Sequence, residues 1–440
     1  MISRREFNGT LAVGTASLAI GATAKSYSQI AGANERLNFA VIGLNGRAYA
    51  HLSALKANQK TSRIAQVCDV ESNILEKFAG AVQKELGYAP ATEKDFRKVL
   101  ASKDIDVITI ATPDHWHAPM AILGVEAGKH VYVEKPCSYD PHEGEMLVAA
   151  RDKYKKHVQM GNQQRSSPHS IKIIGQIHGG LIGDAYLASA WYANKRGSIG
   201  VGKPAPVPAT LDWDLWQGPA PRTPYHDNYQ PYNWHWFKRW GTGETLNNGT
   251  HEVDVCRWAL GASFPSSVSA TGGRYAFKDD WQYYDTLEVN WKYADKTITW
   301  EGLCCNPLGR YGRDRGALIR GTKGSVIVDR DGYEVYDLSG KKTDEFSVRN
   351  QHTSSADTRG ADSMTDAHFG NLIAAIQSGE ALHSPIEQGN VAVTMLQLAN
   401  YAWDLNRTLK LDPTNGHILG DPDAEKMTRR EYEKGWAPKV

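Results

Sequence analysis

From Leu37 onward, short apolar runs alternate with segments of helical spacing. "LNFAVIG" (37–43) is almost continuously apolar, and "RAYAHLSALKA" (47–57) spaces its apolar residues three and four apart. "SRIAQVCD" (62–69) predicts a second strand and "ESNILEKFAGAVQKEL" (71–86) a second helix. "DVITIA" (106–111), "PMAILGVEAG" (119–128) and "HVYVE" (130–134) continue the series. Strands that are apolar on both faces, each separated by a helix, predict a parallel sheet covered on both sides. The pattern runs to about "HVQMGNQQR" (157–165), so 34–161 is expected to form one doubly wound α/β domain.

The remainder, 162–440, has a different rhythm. "AYLASAWYA" (185–193), "TLEVNWKY" (286–293), "TITWEG" (297–302), "ALIRGTKGSVIVD" (317–329) and "YEVYDL" (333–338) read as strands in series. They predict an α+β domain built on a large, mostly antiparallel sheet with one open face. "HEVDVCRWAL" (251–260) and the segments 362–378 and 386–405 have helical patterns, and the last two are expected to pack back on the first domain. Between the strands, 211–244 is rich in Pro, Gly and Trp and lacks a period. Loops of that length are usually functional or disordered, and the aromatic density argues for order. Its rings are expected either to stack on a sugar face or to fill a core.

Composition narrows the function classes. The 440 residues carry a net charge of +1, which gives no reason to expect nucleic acid or an acidic membrane surface as partner. Five cysteines without a CxxC pattern predict buried free thiols rather than a disulfide framework or a zinc site. His115, His117, His226 and His235 lack metal-ligand spacing, and no metal is expected. "SRREF" (3–7) precedes an apolar run of small residues, Leu11 to Ala22, followed by "ATA" (22–24) and "AGA" (31–33). This resembles a twin-arginine signal over 1–33, and it predicts export to the periplasm with no membrane span beyond the signal itself.

"AVIGLNGRA" (40–48) follows the first strand and opens the first helix, the place of the G-x-G-x-x-G/A dinucleotide turn. Gly43 and Ala48 occupy the first and third positions. Asn45 replaces the second glycine, with Gly46 directly after it, and Asn tolerates a left-handed backbone better than most residues. Asp69 ends the second strand, where an acid binds a ribose 2′-hydroxyl and disfavours a 2′-phosphate, so NAD is expected rather than NADP. The same residue is also placed to cap the helix over 71–86.

"HVYVEKPCSYD" (130–140) puts a lysine at a strand exit, where ligands of doubly wound sheets bind. Beside a nicotinamide, Lys135 would polarise a sugar hydroxyl and take part in proton transfer. Together with "ATPDHWH" (111–117) and "NNGTHEVDVCRW" (247–258), these motifs resemble the glucose–fructose oxidoreductase, inositol dehydrogenase and rhizopine-catabolism (Gfo/Idh/MocA) family over nearly all of 36–412. The resemblance implies a Rossmann domain plus an open-faced α/β domain, homo-oligomers formed through that sheet, and NAD(P)-dependent oxidoreduction of a sugar or polyol. It implies that Gly43, Asn45, Gly46, Arg47, Asp69, Thr112, Pro113, His117, Glu134, Lys135 and Gln163 surround the dinucleotide. It also implies that Lys135 acts with an Asp-x-x-x-His pair, of which the histidine is His251 and the aspartate position is Asn247. Asn cannot exchange a proton, which leaves His251, with an ordinary pKa near neutrality, as the candidate base. His251 alternatively serves the core or caps the helix. Asp254, one turn on, either orients His251 or favours the helix dipole. Some members of the group cleave glycosides with NAD used catalytically, and those tend to lack the lysine that this chain keeps.

Overall fold

The computed structural model describes residues 36–348 and 362–440. The export segment expected over 1–33 lies outside them.

Six parallel strands form the first sheet: β1 (Leu37–Ile42), β2 (Ser62–Cys68), β3 (Ala91–Glu93), β4 (Val107–Ile110), β5 (His130–Val133) and β6 (Val158–Met160). Their order, β3-β2-β1-β4-β5-β6, reverses direction between β1 and β4, which opens a crevice beyond the carboxyl ends of those two strands. Phe39, Val41, Val107 and Ile110 are fully buried because helices cover both faces.

The second sheet holds β7 (Ala185–Lys195), β8 (Ser267–Gly273), β9 (Thr286–Lys292), β10 (Thr297–Leu303), β11 (Cys305–Asn306), β12 (Arg315–Gly321), β13 (Gly324–Val328), β14 (Gly332–Asp337), β15 (Lys342–Ser347) and β16 (Leu409–Lys410). Only the β7–β10 pairing is parallel. Along β9, Leu287, Val289 and Trp291 are buried while Glu288, Asn290 and Lys292 are exposed, so one face is packed and the other open. Each fully buried large side chain on the packed face contributes about 1.5–3 kcal/mol.

Two C-terminal helices tie the sheets together. Ser363–Ser378 lies on the first-domain helix Ala48–Ala57, with Phe369 stacked on Tyr132 at 4.3 Å between centroids. Ile386–Asp404 runs between the domains. Gln397 Nε2 donates to the Ser138 carbonyl at 3.0 Å, while Trp291 Nε1 of β9 donates to the Met395 carbonyl at 3.0 Å.

Helix Thr250–Leu260 packs on β7 and β12 and is preceded by a π-helical turn, Thr245–Gly249. Its Asp254 receives two bonds from Arg165, Nε at 2.6 Å and Nη2 at 2.8 Å. Arg165 follows β6, so this buried pair docks the helix on the first domain. Asp254 therefore does not orient His251; its carboxylate is committed to Arg165. All five cysteines are free thiols, four of them buried. Among the described residues, no helix is long and apolar enough to cross a membrane.

Removing one partner of a buried ion pair strands the other charge. Asp254→Ala is therefore expected to lower the unfolding free energy by about 3–5 kcal/mol in a denaturant titration. A loss below about 1 kcal/mol would show the pair to be dispensable for docking.

Candidate active site

The crevice continues into a cavity of about 500 Å³ that reaches from the Gly43 turn to the second sheet. The residues expected to surround the dinucleotide, together with Lys135, Asn247 and His251, lie on its wall; Ala48 and Asp254 do not.

At the nucleotide end, Gly43 has φ of +81°, and a methyl group there would stand 2.7 Å from the Thr112 amide nitrogen. The two strand ends approach closely enough that only glycine fits. Gly46 takes the other left-handed position of the turn, with φ of +46° and open space where its Cβ would be. Asn45 is not left-handed, contrary to its expected role; the second permissive position is Gly46 itself. Asp69 accepts from the Leu44 amide at 2.7 Å and the Glu71 amide at 2.9 Å, clamping the turn to the end of β2. It does not cap the following helix, which Glu71 does through the Ile74 amide. Burial pushes the Asp69 carboxyl up to about 6 despite these donors. The Thr112 hydroxyl is buried in the wall without a hydrogen-bond partner. The glycine cradle, the acid at the end of β2 and this orphaned hydroxyl fit a dinucleotide.

Glu134 is more deeply engaged. Its Oε1 accepts from Arg47 Nε at 2.7 Å and from Gln163 Nε2 at 3.2 Å, and faces His51 Nε2 at 3.0 Å. Burial disfavours its charge, but Arg47 and His51 outweigh that and hold the carboxyl below its usual range. Arg47, Glu134 and Gln163 thus brace one another across β1, β5 and β6. The two ring nitrogens of His117 face the carbonyls of Pro136 at 2.6 Å and Thr112 at 2.9 Å, joining the loops after β5 and β4.

At the far end, Lys135 Nζ donates to the Asn247 backbone carbonyl, and lies 3.2 Å from Asn247 Oδ1. Burial brings the ammonium down to about 8, against the attraction of Glu134 and Asp114. Asn247 Nδ2 is left buried without a partner. His251 stands four residues further on, in the first turn of helix Thr250–Leu260, and its ring has no hydrogen-bond partner among the described residues. Its pKa is not near neutrality: burial, then the Arg330, Lys135 and Arg315 cations, push it well down, so the resting imidazole is neutral.

Several wall residues escaped the sequence reading. Tyr192, Asn194 and Arg196 reach the cavity as i, i+2, i+4 neighbours at the end of β7. The polar residues that close the strand in "YANKR" are a local sign of them. Arg315 and Arg330 come from β12 and the turn after β13. Most of the aromatic stretch makes its own core: Trp213, Trp216, Phe237 and Trp240 cluster together. Tyr232, Trp234 and His235 face the cavity, and the last two stack at 3.5 Å. His115 is buried with its Nε2 3.1 Å from the Trp216 carbonyl. Among the described residues, no three His, Cys, Asp or Glu side chains converge as a metal site would require.

Residues 37–162 match the oxidoreductase family GFO_IDH_MocA, described as an NAD-binding Rossmann fold, and 201–327 match the GFO/IDH/MocA C-terminal domain. The chain belongs to the Gfo/Idh/MocA family. Among curated proteins it is similar to an α-N-acetylgalactosaminidase of Shewanella oneidensis, 25% identical over 214 residues, 44% of this chain and 46% of that one. The chain spans less than half the length of the curated relatives it matches. Among solved structures it shares its fold with a levoglucosan dehydrogenase in complex with NADH and levoglucosan (TM-score 0.64, 19% identity, 85% of this chain and 99% of that one). The WlbA dehydrogenase of Bordetella pertussis, in complex with NADH and UDP-GlcNAcA, aligns similarly (TM-score 0.63, 17% identity, 86% and 99%). The doubly wound sheet, the large antiparallel sheet and NAD as cofactor are thus those of the family.

Gly43→Ala adds both a strained φ and a contact with the Thr112 backbone. It is expected to weaken dinucleotide retention at least about 10-fold while the circular dichroism spectrum is unchanged. Full dinucleotide content in the purified variant would contradict the assignment of this turn.

Proposed function

We propose that this chain oxidises a hydroxyl-bearing carbon of a sugar, glycoside or polyol with NAD, and that it works in the periplasm with the dinucleotide retained between turnovers. The observation that carries the reading is Lys135 Nζ. It is half-buried, lies beside Asn247 and His251, and shares one cavity with the Gly43–Arg47 turn. The bound dinucleotide supplies a two-electron hydride acceptor. Lys135, brought down to about 8, is neutral in about a tenth of molecules at pH 7 and in more as pH rises, and its free amine takes the proton of the substrate hydroxyl at Nζ. Asn247 fixes Nζ through its backbone carbonyl, and its unpartnered Nδ2 donates to a substrate oxygen. His251, neutral and unheld, accepts or donates a hydrogen bond to a second substrate hydroxyl and acts as an orienting group.

The export part rests on Arg4 and Arg5 ahead of the apolar run 11–22. Free NAD is scarce outside the cytoplasm, so retention and regeneration in place follow from that reading. A cycle without net redox change satisfies it, as does oxidation of one sugar coupled to reduction of another. The similarity to an α-N-acetylgalactosaminidase favours a second reading: oxidation of one ring carbon acidifies the neighbouring C–H, loss of that proton expels the aglycone, water adds to the resulting enone where the aglycone left, and return of the hydride restores the hydroxyl. Release of aglycone without accumulated reduced nicotinamide distinguishes it from net oxidation.

Lys135→Ala is expected to cut turnover by at least about 10²-fold while leaving bound dinucleotide in place. The check is nicotinamide absorbance against a sugar panel, together with dinucleotide content after native purification. Unchanged turnover would remove the lysine, and the proposal with it.

A further inference from the structure

The turn Asp329–Gly332 joins β13 to β14 and is held from several sides. Asp329 Oδ1 accepts from the Asp331 amide at 2.8 Å and the Gly332 amide at 2.9 Å, and Oδ2 pairs with Arg313. Gln164 Nε2 donates to the Asp329 carbonyl at 2.9 Å. The turn is therefore rigid, and it places Arg330 on the wall of the cavity beside His251.

The other arginines of that wall each have a carboxylate. Arg47 Nε meets Glu134 at 2.7 Å, Arg196 Nε meets Glu244 at 2.7 Å, and Arg315 Nε meets Glu252 at 2.7 Å. Arg330 makes no hydrogen bond or ion pair among the described residues. Glu252 and Asp362 attract it from a distance without pairing with it. Glu252 is shared with Arg315 through Oε1 while its Oε2 has no partner among the described residues. Asp362 is engaged by its own helix, accepting from the Met364 amide at 3.0 Å and the Thr365 hydroxyl at 2.8 Å. Burial and the neighbouring Arg315 cation bring the guanidinium down to about 10, which leaves it charged at neutral pH.

A partly buried guanidinium with no carboxylate partner among the described residues is suited to binding an anion that enters the cavity. Given the oxidoreduction proposed above, on which this rests, we infer that the substrate is a carboxylated sugar, a uronic acid or its glycoside, and that Arg330 receives the carboxylate. A planar carboxylate accepts two parallel N–H bonds from a guanidinium, whereas a neutral hydroxyl offers a single acceptor oxygen. One unpaired arginine balances a single negative charge. A phosphate dianion would call on Lys135 as well, and that ammonium is held by Asn247. The carboxylate is a spectator: the oxidised carbon loses a hydride to the nicotinamide, and its hydroxyl loses a proton to Lys135.

The experiment offers the holoenzyme three matched compounds, methyl glucuronide, methyl glucoside and glucose 6-phosphate, and reads reduction of bound nicotinamide. The glucuronide is expected to exceed the glucoside at least about 10-fold in kcat/KM. Arg330→Gln should raise KM for the glucuronide about 10–100-fold, and at least about 10-fold more than it raises KM for the glucoside, with dinucleotide content retained. Arg330→Lys, which keeps the charge and loses the fork, should recover part of the preference; it carries the comparison if Arg330→Gln loses its dinucleotide. Equal use of glucuronide and glucoside, preference for the phosphate, or an equal loss for all three in the variants would overturn the inference and leave the oxidoreductase reading standing. If none of the three reduces the nicotinamide and a wider panel of neutral and acidic sugars also fails, the oxidoreductase reading falls and takes this inference with it.

Discussion

Lys135 reaches from the end of a strand in the first sheet to a backbone carbonyl in a helical turn of the second domain. Everything the cavity can do depends on that meeting, since it brings an amine beside the nucleotide crevice and sets it against groups remote in the chain. The C-terminal helix Ile386–Asp404 maintains it. Gln397 holds the segment just after the lysine through Ser138, while Asn400 binds the Thr242 carbonyl at 2.8 Å and accepts from the Tyr284 hydroxyl at 2.8 Å. One rigid element thus fixes both sides of the contact, and the buried Arg165–Asp254 pair fixes the helix that follows.

The electrostatics of the cavity follow from which charges are paired. Arg47, Arg196 and Arg315 have carboxylate partners that balance their charge and brace the walls. Lys135 and His251 have none among the described residues, and desolvation moves both toward their neutral forms. A neutral amine and a neutral imidazole are suited to receiving and relaying protons at ordinary pH. The balance is local: the same burial that lowers Lys135 fails to neutralise Glu134, because Arg47 and His51 stand within hydrogen-bond reach.

The nucleotide end of the site was legible because its chemistry is encoded at short range. A glycine turn between a strand and a helix, and an acid at the next strand's end, declare themselves by spacing alone. Lys135 was legible for the same reason, since its strand exit is visible in "HVYVEK". The opposite wall was not, because Tyr192, Arg315 and Arg330 come together only when β7, β12 and the turn after β13 pair in one sheet. Misassignments had a common origin. Asn45, Asp254 and the pKa of His251 were judged from neighbours along the chain, whereas Gly46, Arg165, and burial together with cations across the cavity decide them. The tryptophans of 213–240 mostly pack on one another, a choice that composition leaves open.

The central claim is that a lysine amine, partly deprotonated by its surroundings, accepts the substrate proton. The most direct measurement is the single-turnover rate of nicotinamide reduction as a function of pH between about 6 and 10, with a reactive sugar at saturation. The rate should rise with pH as the amine loses its proton and level off above a single ionisation near 8. A rate that is flat across that range, or that falls as pH rises, would contradict the account.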